Sequence, residues 1–372
     1  MPTPFTIAIA DADLADLKSR LAATRLPQAL DGVGWDYGVD SSVLARFLEY
    51  WGKEFDWRAA EARLNAFPQF IDAIDGEAVH YLHIKGRGTT NVPLLLTNGW
   101  PSNFVELLPL VPLLTEPVDG QAFDLVLPSL PGYGFSGLPK KPGMNHARIA
   151  PLWAKLMSQL GYEKFLISGS DMGAGVEMAL VRDFPDRVIG AHYVGVYYGF
   201  PKPENPTPDE AAWLERMQQW SMTEGAYAME QGTKPATLAV GLTDSPAGLA
   251  AWILEKFKAW SDNGGDLEEA FDFETLATLI SVYWFTGSIG ASMRLYKEAF
   301  ADPTLAQKPP RHDVPHGILA MLAEDPGPRA WGERNLWNIV RWTEQHQGGH
   351  FPALEVPEAM AHDIRAFHAQ IA

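Results

Sequence analysis

The chain predicts an α/β fold with a mostly parallel central sheet, an N-terminal meander and a helical segment inserted before the last strands. Three features carry this. Short apolar and β-branched runs alternate with helical patterns, the rhythm of strands joined by crossover helices. Between about Pro201 and Pro303 that rhythm stops and helical spacing takes over. One of the runs, Phe165-Leu-Ile-Ser168, breaks into a Gly169-Ser-Asp171-Met-Gly173 turn and continues as a helix that ends before Pro185.

Taken in order, Asp11 to Arg25 sets Leu14, Leu17 and Leu21 at helical spacing before Pro27, with acidic residues in the first turn. Val43 to Glu54 repeats the pattern. Ala78–Ile84 alternates as a strand, and Val92–Thr97 and Phe123–Leu127 are apolar enough to be buried on both faces. A turn-rich loop, Pro128 to Gly137, follows. Strands are expected again at Phe165–Ser168 and Val188–Tyr193. Within the helical segment Ala247–Trp260 lines up Leu249, Trp252, Ile253, Lys256 and Phe257 on related faces. Proline-rich stretches at Phe200–Pro208 and Gln307–Arg311 mark its borders, and strand character returns at Gly317–Leu322 and Trp337–Trp342. The chain therefore divides into a meander (1–75), a first part of the core (76–200), a helical cap (201–303) and a second part of the core (304–372).

Bulk properties narrow the function. A net charge of −17 does not supply the clustered Lys and Arg that nucleic acid or an anionic membrane requires. There is no cysteine, so disulfides, zinc–thiolate sites and thiol nucleophiles are excluded. The first residues lack a basic region followed by a sustained apolar stretch, and no run approaches a membrane span of about 18 apolar residues. A soluble, cytoplasmic protein without cofactor or metal is expected, and a homodimer stays open.

The Gly-x-Asp-x-Gly turn has the form of a nucleophile elbow with a carboxylate, Asp171, where serine hydrolases carry serine. Ser170 is one position off centre. A carboxylate nucleophile forms an alkyl ester, so the substrate should carry an electrophilic carbon with a leaving oxygen or halide. Downstream come two adjacent acids, Glu324 and Asp325, and then His350 in Gly348-Gly-His-Phe-Pro352. Nucleophile, acid and base in that order is the α/β-hydrolase arrangement. An imidazole oriented by a carboxylate suits the deprotonation of water that ester hydrolysis needs near neutral pH.

On these residues the chain resembles the epoxide hydrolases of the microsomal and juvenile-hormone type. The resemblance extends through Leu17-Lys-Ser-Arg-Leu-Ala-Ala-Thr-Arg-Leu-Pro27, Tyr50-Trp51, Phe55-Asp-Trp-Arg58, Leu64-Asn-Ala-Phe-Pro-Gln-Phe70, Asp244 to Phe257 and Gly348 to Glu355. It implies an α/β-hydrolase fold and cofactor-free conversion of small-molecule epoxides and water to vicinal diols. By the same resemblance Asp171 is nucleophile, His350 base and Glu324 its acidic partner, while Tyr227 and Tyr296 activate the epoxide. The backbone N–H groups of Trp100 and Met172 would form the oxyanion hole, with Trp100-Pro101 a candidate cis bond. The chain departs from the family in carrying Asn98 where histidine is usual, and Met321-Leu-Ala-Glu324 where Phe-Pro-x-Glu is usual. By the same resemblance, no counterpart of the N-terminal anchoring helix of the mammalian microsomal enzymes is expected. Asp325 remains the alternative acid. Two other readings of the same residues are a haloalkane or haloacid dehalogenase and a non-catalytic hydrolase-like binding protein.

Overall fold

A computed structural model describes residues 2–195, 202–304, 310, 312–336 and 338–372. Phe200 and Pro201 of the first proline-rich border, residues 307–309 and Arg311 of the second, and Trp337, expected to open the last strand, lie outside the described residues. The described strands are β1 (Pro4–Phe5), β2 (Gln69–Ile74), β3 (Glu77–Ile84), β4 (Thr90–Thr97), β5 (Gln121–Pro128), β6 (Phe165–Ser170), β7 (Val188–Val194), β8 (His316–Met321) and β9 (Ile339–Gln345). They form one sheet in the order β1-β2-β3-β5-β4-β6-β7-β8-β9. Every pairing from β5 to β9 is parallel, and β1, β2 and β3 extend the β5 edge antiparallel.

The central parallel strands carry apolar runs because both of their faces are covered. Leu94, Leu95 and Leu96 of β4 and Phe165, Leu166 and Ile167 of β6 are fully buried. The β2–β3 hairpin closes on Asp75-Gly76, both with positive φ, as the type I′ turn that matches strand twist requires.

The helices are α1 (Asp11–Ala22), α2 (Ser41–Lys53), α3 (Trp57–Leu64), α4 (Leu110–Thr115), α5 (His146–Gln159) and α6 (Asp171–Asp183) before β7. Between β7 and β8 come α7 (Pro208–Thr223), α8 (Ala226–Thr233), α9 (Pro235–Asp244), α10 (Pro246–Trp260), α11 (Leu267–Ala270), α12 (Phe273–Thr286) and α13 (Ile289–Phe300). The chain finishes with α14 (Arg329–Leu336), α15 (Pro352–Glu355) and α16 (Pro357–Ile371). Among the described residues no single helix is long and apolar enough to cross a membrane.

Close helix–sheet contact depends on small strand residues. A Cβ at Gly190 or Gly317 would come within 2.9 and 2.7 Å of the Phe367 ring of α16. The N-terminal helices pack on the inserted ones. Trp51 of α2, fully buried, donates its indole N–H to Ser281 Oγ of α12 at 2.8 Å, and Phe47 meets Phe273 edge-on at 5.4 Å. Asp40 and Asp272 cap α2 and α12 by accepting first-turn N–H groups. The N-terminal segment thus braces the inserted helices against the sheet, and the face they share with the strand ends holds the site.

Candidate active site

The end of β6 fixes the first functional side chain. Ser170 closes the strand, paired with Val194, and Asp171 opens α6 at φ 48°, a conformation that strains a residue bearing a Cβ. The neighbours must be glycine to allow it. A Cβ at Gly173 would lie 2.0 Å from the Thr97 carbonyl oxygen, and one at Gly99 would lie 2.0 Å from Asp171 Oδ1. This close approach lets the Trp100 N–H donate to Asp171 Oδ1 at 2.8 Å, and the Met172 N–H donates to the same carboxylate. The Trp100–Pro101 peptide is cis. Burial raises the Asp171 carboxyl above its usual range, the nearby Glu324 adds to that rise, and His350 and the two backbone N–H groups oppose it.

His350 stands in the turn between β9 and α15. Its Nδ1 is 2.5 Å from Glu324 Oε1, and its Nε2 is 3.7 Å from Asp171 Oδ2. Asp325 turns elsewhere: at φ 48° its carboxylate takes a two-pronged bond from Arg216 at 2.6 and 2.9 Å. Of the two adjacent acids, Glu324 alone meets the imidazole. Burial by itself would lower the His350 pKa; the Glu324 carboxylate beside it, with Asp171 and Glu106, more than reverses this and pushes it up to about 9. The turn is tied to α10, since the His350 N–H donates to the Trp260 carbonyl at 2.8 Å. It is also tied to Glu355, which accepts from the N–H groups of Gly349 and Phe351, both at 2.9 Å.

Tyr227 of α8 and Tyr296 of α13 meet edge-on with ring centroids 5.8 Å apart. Burial first, then the Tyr227 side chain and the charge of Asp171, hold the Tyr296 hydroxyl well above its ordinary range. Trp100 joins the phenols to the elbow, stacked on Tyr227 at 5.4 Å and edge-on to Tyr296 at 5.8 Å. Asp171, His350, Glu324, Tyr227, Tyr296 and the backbone of Trp100 and Met172 therefore lie in one region.

Three neighbours were not recognised as site residues from the sequence. Trp260 packs on both Tyr227, at 4.9 Å, and His350, at 5.0 Å. Lys256, one turn earlier on α10, sits over the Tyr227 ring with Nζ 4.7 Å from its centroid. Its signal was present, a lysine in the apolar stripe of a helix. Glu106 lies behind the Trp100 loop, almost wholly buried, at 3.4 Å from Asn98 Nδ2. Burial pushes its carboxyl up to about 7, against the pull of His350 and Asn98. Among the described residues the Asn98 side chain donates two long bonds, this one and another of 3.4 Å to the Gly99 carbonyl.

Residues 2–107 match the model for the epoxide hydrolase N terminus, and residues 92–243 match that for the alpha/beta hydrolase fold. Epoxide hydrolase 1 of Oryctolagus cuniculus is 35% identical over an alignment covering 98% of this chain and 88% of that protein. The chain belongs to the epoxide hydrolase family. Solved structures of family members agree along the whole length. Juvenile hormone epoxide hydrolase from the silkworm Bombyx mori superposes with a TM-score of 0.88 at 32% identity, covering 100% of this chain and 94% of that one. Aspergillus niger epoxide hydrolase gives 0.88 at 34%, covering 100% and 97%. As a member of this epoxide hydrolase family the chain has an α/β-hydrolase core.

Proposed function

We propose that this chain hydrolyses small-molecule epoxides to vicinal diols through an ester on Asp171, with α7 to α13 acting as a cap over the site. The observation that carries the reading is an Asp171 carboxylate with a His350–Glu324 pair on one side and two phenols nearby. Asp171 Oδ1 is held by the Trp100 N–H, so Oδ2 is the attacking atom. It forms a bond to a ring carbon as the C–O bond breaks, and the ring oxygen leaves as an alkoxide that takes a proton from Tyr227 or Tyr296. Two donors aimed at one developing charge act more strongly in the transition state than on the substrate.

The second step follows from the first. Esterification removes the Asp171 charge, one of the causes that raise His350, so the imidazole becomes easier to deprotonate just when a base is required. Neutral His350 then takes a proton from water, which attacks the ester carbonyl carbon. The Trp100 and Met172 N–H groups receive the oxyanion on Oδ1, and its collapse expels the diol oxygen, protonated from the imidazolium, while the proton left on the Asp171 carboxyl returns to the tyrosinate formed in ring opening. Glu324 stabilises that imidazolium. In oxygen-18 water, a single turnover with enzyme in excess should put the label in the Asp171 carboxylate and leave the first diol unlabelled; label chiefly in the diol overturns the covalent route.

The dehalogenase reading would need N–H donors for a departing halide. The indole N–H groups of Trp100 and Trp260 are buried without a partner among the described residues, so chloride release from a chloroalkane is the measurement that tests it. Phenols favour the epoxide reading, because an alkoxide needs a proton and a halide does not. The net charge of −17 argues against a nucleic-acid partner.

A further inference from the structure

We propose that Lys256 is a positioning residue for ring opening: its buried ammonium, held over the face of Tyr227, orients that ring and stabilises the negative charge the phenol takes on while donating to the epoxide oxygen. The inference rests on Tyr227 being a donor in the reading above. Lys256 and Trp260 are four residues apart on α10 and so share a face. The Lys256 side chain is only 6% exposed, and its Nζ stands 4.7 Å from the Tyr227 centroid and 5.7 Å from that of Trp260. Both distances are within cation–π range, where a desolvated pair is strongest. Glu255 Oε2 is 2.5 Å from the same ammonium, with its carboxylate 21% exposed. The carboxylate compensates the buried charge from the more solvated side, leaving the rings to face the cation.

Packing alone does not call for this arrangement. A methionine or leucine would fill the stripe between Ile253 and Phe257 without taking a charge out of water, which is expensive even for a paired ion. What a cation adds is selective. The ring face attracts it before reaction, which fixes the plane of Tyr227, and the attraction grows as the phenol oxygen gains charge. An interaction that strengthens toward the transition state raises the rate of that step rather than substrate affinity. Ester breakdown uses His350 and water, so it should be indifferent to the ammonium.

The test uses the full chain with styrene oxide and enzyme in excess, following formation and decay of the alkyl-enzyme by rapid quench and intact mass. Lys256→Met should slow ester formation about 30-fold and leave its decay within about twofold, and Lys256→Arg should recover most of the loss. Lys256→Gln serves as the uncharged variant if the methionine protein does not fold. In a Tyr227→Phe background, removing the ammonium should cost less than about threefold more, because its effect passes through the phenol. The proposal is overturned if the uncharged variants form ester at the normal rate, if both steps slow together without rescue by arginine, or if the loss is undiminished in Tyr227→Phe. If Tyr227→Phe itself leaves ester formation unchanged, the reading of Tyr227 as donor fails; if it slows that step while Lys256→Met does not, only the role of Lys256 fails.

Discussion

Replacing Glu324 with glutamine keeps the shape of the acid that meets His350 and removes its charge. In the native protein that carboxylate, 2.5 Å from Nδ1, is the main reason the imidazole titrates at about 9 instead of below 6.5, where burial alone would put it. The interval from 6.5 to about 9 corresponds to about 3 kcal/mol of preference for the imidazolium, the form that also arises when His350 takes a proton from water. Losing it should slow ester breakdown by about 10²-fold, within the range for an impaired general base. Ester formation should be little affected, since Asp171 and the phenols serve that step. A quenched-flow experiment with intact-mass detection should therefore show Glu324→Gln accumulating protein plus one substrate mass, and NMR of ring-labelled histidine should find His350 titrating well below 9. Asp325→Asn should leave both steps alone and weaken only a solvent-screened pair with Arg216. If Asp325→Asn traps ester and Glu324→Gln does not, or if the His350 titration stays put in Glu324→Gln, the assignment of the acid is wrong.

The same titration has a stability consequence. A histidine whose folded pKa lies above its unfolded one contributes stability that is complete below pH 6.5 and is lost as pH rises through about 9, so the melting temperature should fall across that window and fall less in Glu324→Gln. Tyr227→Phe and Tyr296→Phe should each slow ester formation, the double change by about 10²–10³-fold or more, as measured by pre-steady-state quench; an unaltered rate in the double variant returns both rings to a packing role. Gly99→Ala would push a Cβ to 2.0 Å from Asp171 Oδ1, so the loop must retreat and the Trp100 N–H bond open. Activity on styrene oxide should drop at least about 10²-fold, and a near-native rate would show that the oxyanion contact is dispensable.

Much of the core was readable because parallel strands buried on both faces leave uninterrupted apolar runs, as at Leu94 to Leu96. The first two strands, β1 and β2, were not. β1 is two residues long, and β2 is a half-buried strand whose Asp72 accepts from Thr3 N–H and Tyr81 OH, so it carries no apolar run. Most inserted helices were likewise visible only as a loss of strand rhythm. Their faces are set by contacts with distant segments, such as Trp51 on Ser281, that no local window contains.

The site divides along the same physical line. Asp171 could be found because its strained turn imposes glycines at fixed local offsets, and the Gly169 and Gly173 contacts explain why each is there. Chain order suggested His350 and an acid, yet the choice between Glu324 and Asp325 depends on a single backbone feature, the φ of 48° that sends Asp325 toward Arg216. The tyrosines needed a resemblance to be noticed, since a phenol at helical spacing looks like any core aromatic. Lys256, Trp260 and Glu106 belong to segments up to about 250 residues apart in sequence from the groups they touch or bias, and only the packing of α10 and the Trp100 loop against the strand ends brings them to Tyr227 and His350. Local sequence therefore reports the parts of this site that strain the backbone. The groups that tune its charges act across the fold, and variants at Lys256 and Glu324 are where that separation can be measured, one reading ester formation and the other ester breakdown.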